Sequence, residues 1–248
     1  MASRIFRPEN LTFSFAGSDE ALNAFVEAAG LGGSVDAGRS ADPPESRLQI
    51  PTPTAKNEAF IVPSDVCYAS LAADRRAFGS GAYSGAWQIA ARALSYDFLW
   101  NEVRVKGGAY GAGFQAARSG TLRFYSFRDP HLDETLQRFG DSAAWLAGFD
   151  PTDDEMDGYI VSTVASFDAP LKTRALVRRL DGDYFTGRTP ADRARTRREM
   201  IEATPEKLHE LAADVTRAVS QQMICAFGNK EILEGASTDL QVIDLLNE

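Results

Sequence analysis

Residues Phe98–Phe114 read FLWNEVRVKGGAYGAGF, and Ser119–Phe139 read SGTLRFYSFRDPHLDETLQRF. Together they hold a helix end, a glycine-rich loop, a strand and the start of a second helix. Ile89, Ala93, Tyr96, Trp100 and Val103 recur at steps of 4, 3, 4 and 3, which predicts one apolar helical stripe leading into Arg104. Gly107 and Gly108 stop that helix, because glycine leaves helical φ/ψ without a Cβ penalty. After the glycine loop, Leu122–Phe127 (LRFYSF) predicts a strand. Asp129-Pro130 follows as a cap with proline at the first helical position. Leu132, Leu136, Phe139, Ala143 and Leu146 then give a second amphipathic helix at the same steps.

Working outward, Leu11, Phe13 and Phe15 alternate with Thr12 and Ser14, the period of a half-buried strand. Ser18 and Asp19 offer an N-cap for a short helix through about Ala29, which the glycines at 30, 32 and 33 end. Residues 32–56 are rich in Gly, Ser and Pro and predict a flexible surface loop. Too little chain precedes them for an independent core. Ala59–Val62 and Val66–Ala72 predict buried strands. Thr152 and Glu155 have capping-box spacing. Pro170, Pro190 and Pro205 mark further helix starts, the last with Leu208, Leu211, Val215 and Val219 inward, and Gln222–Phe227 predicts a closing strand. Clusters of strands followed by consecutive helices indicate an α+β fold, a mostly antiparallel sheet with helices packed on one face. The expectation is a single domain over 1–248.

The 248 residues are 44% hydrophobic and 25% charged, with a net charge of −9, which excludes global disorder. That acidic balance speaks against nucleic acid and anionic membrane as partners. No stretch approaches bilayer-spanning length, and the N-terminus lacks a signal pattern. Cys67 and Cys225 sit in apolar runs and read as buried free thiols, which fits a reducing, cytoplasmic setting.

Arg104–Gly113 (RVKGGAYGAG) carries the chemistry. Tyr110 is a phenol among glycines, able to donate to a developing oxyanion, and Arg104 can hold a carbonyl or carboxylate with two N–H groups. A helix cap with a packing tyrosine explains the same pattern, and the sequence leaves both open. A phosphate cradle would need Lys-Ser/Thr after the glycines and a helix opening there; neither is present. His131 and His209 are the only histidines, far apart and without a clustered Cys, so the chain offers no metal ligand set. There is no GxSxG elbow. Asp153-Asp154 suits a first helical turn. Lys172–Arg198 holds nine Lys/Arg against three Asp. It reads as a solvated helix face or as a docking surface.

With Arg104–Gly111 and Phe127–Pro130 in that order, the sequence resembles the C-terminal domain of the presequence-protease branch of the pitrilysin/insulinase metallopeptidases. The resemblance implies a metallopeptidase-homology domain without its own zinc. In that branch four such α+β domains close around an unstructured peptide, and an inverted His-x-x-Glu-His helix in the first domain holds the zinc. By the resemblance, Arg104 binds the substrate backbone and Tyr110 stabilises the tetrahedral oxyanion, while Gly107, Gly108 and Gly111 leave room for the substrate strand. The chain would then be part of a zinc endopeptidase degrading short unstructured peptides, inactive alone. Its partner would be a zinc-bearing N-terminal half, in the same or a separate chain. The alternative is a catalytically inactive homologue acting in assembly.

Overall fold

A computed structural model describes residues 13–30, 54, 56–78, 81–221 and 223–245. It divides into two compact units: the described part of Met1–Thr52 with Pro170–Thr189, and that of Pro53–Ala169 with Pro190–Glu248. The predicted loop at 32–56 lies, apart from 54 and 56, outside the described residues.

In the smaller unit, helix α1 (Asp19–Ala28) is capped as expected by the Ser18 hydroxyl, which accepts from the Ala21 N–H at 3.2 Å. The strand expected around Phe13 and Phe15 is corrected. Residues 13–16 form none, and both rings instead pack on Phe25, with centroids 5.7 and 5.4 Å away. Alternation makes a strand only where a neighbouring strand supplies partners.

In the larger unit, the strands are β1 (Glu58–Ile61), β2 (Cys67–Asp74), β3 (Gly111–Ala116), β4 (Thr121–Asp129), β5 (Met223–Gly228) and β6 (Gln241–Asp244). They form one sheet in the order β3-β4-β2-β5-β1-β6. Pairing is antiparallel from β3 through β5 and parallel from β5 through β1 to β6. β2 alternates strictly: Cys67, Ala69, Leu71 and Ala73 are buried, while Tyr68, Ser70 and Ala72 face the other way.

Helices Leu132–Ala147 and Pro205–Ser220 pack on each other and on β2, covering the buried face. The predicted stripe from Leu132 to Leu146 is buried throughout, and so are Leu208 and Val215. Phe139 and Leu146 are fully enclosed, a burial of roughly 1.5–3 kcal/mol each. A ring column of Phe114, Phe124 and Phe139, with spacings of 4.5 and 5.3 Å, ties β3 and β4 to the helix layer. The expected α+β architecture with helices on one face is what the structure has.

The stripe expected from Ile89 to Val103 is half wrong. The chain is α-helical over Ala86–Ala93 and then widens to π-helical turns over Leu94–Phe98 and Trp100–Lys106. The wider turn rotates the following residues, so Leu94, Leu99 and Val103 face the core. Tyr96 and Trp100 are turned outward, 63% and 40% exposed.

The cysteines are free and lie on opposite sheet faces: Cys67 on the buried one, Cys225 opposite Ser70 on the other.

Candidate functional site

Arg104 leaves the last π-helical turn. Its carbonyl accepts from the Gly108 N–H at 3.0 Å, and the Val103 carbonyl accepts from Ala109 at 3.2 Å, closing the helix. Gly107 is there because a Cβ would sit 2.5 Å from the Val103 carbonyl oxygen. Gly108 adopts φ +80°, where L side chains are strained. Those two glycines therefore have local reasons. A Cβ on Gly111 would meet nothing within 4 Å.

The stretch after Gly108 is corrected from loop to strand, since Gly111 opens β3. Glycine and alanine are poor strand formers, and this strand is imposed by pairing with β4.

Tyr110 stands at the mouth of that strand, 68% exposed. Its N–H donates to the Arg128 carbonyl at 3.2 Å. Its ring meets the edge of Phe127 at 5.9 Å, and Phe127 meets Tyr68 at 5.2 Å. The phenol is thus braced from behind while its hydroxyl side is open. The Arg104 guanidinium lies over the Trp100 ring, 3.8 Å from its centroid. Arg104 and Tyr110 therefore flank one short turn, each leaning on a ring.

The Asp129-Pro130 expectation is also corrected. Asp129 ends β4, and the helix begins two residues after Pro130. The Asp129 carboxylate accepts from the His131 N–H at 3.0 Å, so it shapes a turn around the proline rather than capping a helix. Arg128 carries φ +50°. These supports, Trp100, Phe127 and the Arg128 backbone, escaped the reading of candidate residues from sequence; the Phe127–Pro130 string marked the last two, and Trp100 read as a core position of the helical stripe.

Among the described residues no group of three His, Cys, Asp or Glu could hold a metal ion, and no helix is long and apolar enough to cross a membrane. His209 is bonded through Nε2 to the Phe149 carbonyl at 2.6 Å. Three of the nine cations in the basic stretch 172–198 pair with carboxylates. Arg188 pairs with Asp183, Arg195 with Asp192 and Glu199, and Arg197 with Asp168.

The family model described as the PreP C-terminal domain matches residues 57–229, from the start of β1 past the end of β5. The chain belongs to the PreP C-terminal domain family. Protein HypA of Clostridium perfringens is 29% identical over 232 residues, covering 92% of this chain and 23% of that protein. The mitochondrial presequence protease of Yarrowia lipolytica is 28% identical over 184 residues, 74% of this chain and 18% of that protein. This PreP C-terminal domain thus spans less than a quarter of either relative.

Solved structures share its fold. The peptidase M16 inactive domain from Pseudomonas fluorescens aligns at a TM-score of 0.52 with 19% identity, covering 78% of this chain and 47% of that one. The periplasmic protease PqqL from Escherichia coli aligns at 0.55 with 14% identity, covering 90% of this chain and 27% of that one. The domain is thus homologous to the C-terminal domain of presequence proteases, and it shares its fold with the peptidase M16 inactive domain.

Proposed function

We propose that this chain is the substrate-binding, non-zinc part of a zinc endopeptidase acting on short unstructured peptides. The observation that carries the reading is the pairing of an exposed phenol and a ring-supported guanidinium on either side of one tight turn. The Tyr110 hydroxyl donates a hydrogen bond to a scissile carbonyl, and the bond strengthens as that oxygen gains negative charge. Arg104 donates to a neighbouring carbonyl and fixes the strand's position. Neither group needs to gain or lose a proton.

Among the described residues no group fits a zinc site; on this reading the metal belongs to a separate domain, and the chain alone hydrolyses nothing. The assembly reading, through the basic stretch 172–198, is narrowed by the internal pairs of Arg188, Arg195 and Arg197.

Arg104→Ala in the complete peptidase tests the substrate-binding part. The expected result is a raised KM on a quenched-fluorescent peptide, and an unchanged KM overturns the role. Hydrolysis by the isolated 248-residue chain would overturn the division of labour.

A further inference from the structure

Beside the same turn lies a groove of about 740 Å³, which Trp100 and Gly111 share with it. Five aromatic residues line the groove, and all but Phe114 carry an arginine: Tyr96, Trp100, Tyr125 and Phe167. Arg92 lies 5.1 Å from the Tyr96 centroid, Arg104 3.8 Å from Trp100, Arg123 5.5 Å from Tyr125 and Arg193 3.9 Å from Phe167.

No Asp or Glu lines the groove, in a chain where 35 of 248 residues are acidic. Among the described residues, Arg92, Arg104 and Arg123 form no ion pair with a carboxylate; Arg123 donates to the Gln115 amide oxygen instead. Arg193 donates to the Phe167 carbonyl, whereas Arg92 and Arg104, lying on rings, keep N–H edges available, so this side of the groove is electropositive and flat at once.

The π-helical turns create it. An uninterrupted α-helix would have kept Tyr96 and Trp100 on the core stripe, and the irregular turns put both into the groove. Such turns are uncommon and concentrate at functional sites.

The groove also runs along the edge of the sheet. The Phe114 N–H donates to the Ser95 hydroxyl at 2.9 Å, whereas Ala117 donates inward to Thr121. By alternation the main chain of Ala112 and Ala116 points outward with that of Phe114. Tyr83 donates to the Ala116 carbonyl. Ala112 lines the groove beside Gly111, whose missing Cβ leaves the approach open.

We propose that this groove binds an extended peptide segment bearing acidic and aromatic side chains, and discriminates against lysine- and arginine-rich segments. Carboxylates meet the guanidinium edges, rings stack beside Tyr96 and Trp100, and the peptide backbone pairs with Ala112. The proposal rests on the reading of Arg104 and Tyr110 as peptide contacts, since Trp100 and Gly111 join the two places. Arginine-backed rings also suit single-stranded nucleic acid. The place of Ala112 on the edge strand of the sheet, where main chain pairs with main chain, favours a peptide.

The test is fluorescence anisotropy with the 248-residue chain and labelled Gly/Ser peptides carrying Phe-Glu-Phe-Glu or Phe-Lys-Phe-Lys, with oligothymidylate as a third probe. The glutamate peptide is expected to bind about tenfold tighter than the lysine peptide, and to weaken as salt is raised. Tyr96→Ala and Arg92→Gln are each expected to weaken it about fivefold. Tyr96 is exposed, so its loss spares the core. Equal affinity for the two peptides, no effect of Tyr96→Ala, or tighter binding of oligothymidylate overturns the proposal. The two readings separate cleanly. Glutamate-over-lysine discrimination in a peptidase whose kcat ignores Tyr110→Phe keeps the groove and removes the catalytic role. The converse pair of results does the opposite.

Discussion

Tyr110 hangs its backbone on Arg128: the Tyr110 N–H reaches the Arg128 carbonyl at 3.2 Å, and Arg128 holds the left-handed φ of +50°. Among the described residues no other non-glycine residue has positive φ. The strained residue thus sits directly behind the phenol proposed to act on substrate. Left-handed backbone costs an L-residue roughly 1–2 kcal/mol, so the surrounding turn must impose it.

Glycine relieves that strain. Arg128→Gly should unfold at an equal or higher temperature than the parent, and Arg128→Val at a lower one, by about 1–2 kcal/mol. Thermal unfolding followed by circular dichroism checks both. A clear loss of stability in the glycine variant would show that the Arg128 side chain, not its backbone, matters.

Gly111 and Gly113 stand two apart in β3 and should respond differently to alanine. At Gly113 a Cβ would lie 2.7 Å from the Tyr125 hydroxyl oxygen and 2.9 Å from its Cζ, so the ring must swing off the strand. Gly113→Ala should cost about 1 kcal/mol or more, and Tyr125→Ala in the same chain should remove most of that cost. Gly111→Ala, with open space around it, should stay within about 0.5 kcal/mol of the parent. Urea midpoints measure all three, and equal costs at both glycines would contradict the packing described.

Stability should fall on the alkaline side. Burial, with the Asp129 carboxylate adding to it, pushes the Cys67 thiol up to about 12 from 9.0. Burial first and then Asp97 push the Tyr159 phenol up to about 12 from 10.0. Both groups keep their protons in the folded chain at pH values where the unfolded chain has lost them. Their contribution is fully present below about pH 9 and is lost as pH rises towards 12. Urea midpoints should therefore drop between about pH 8 and pH 10.5, and Cys67→Ala should make that decline shallower. A flat profile in the parent chain would contradict the burial of these groups.

How far the sequence carried depended on which physics each element obeys. The helix from Leu132 to Ala147 was readable because every residue of its 3.6-period stripe is buried. The capping box at Thr152 was readable because its two bonds are local; the Glu155 N–H reaches the Thr152 hydroxyl at 3.3 Å.

The helix before Arg104 was misread because a π-helical turn leaves no mark in apolar spacing; the same letters fit both windings. β3 was missed because GAGFQA has little strand propensity and is held by its partners β4 and Ser95. Arg104 and Tyr110 stood out as residue types set among glycines. Their supports did not, because a positive φ at Arg128 and the stacking of four arginines on four rings are tertiary facts.

The most direct measurement of the central claim is steady-state kinetics of Tyr110→Phe in the complete peptidase that we propose this chain belongs to. Loss of the phenolic hydroxyl removes one donor to the developing oxyanion and little else, since the ring and its Phe127 contact remain. The account predicts a kcat lowered on the order of 10²–10³-fold with KM nearly unchanged. An unchanged kcat would contradict it.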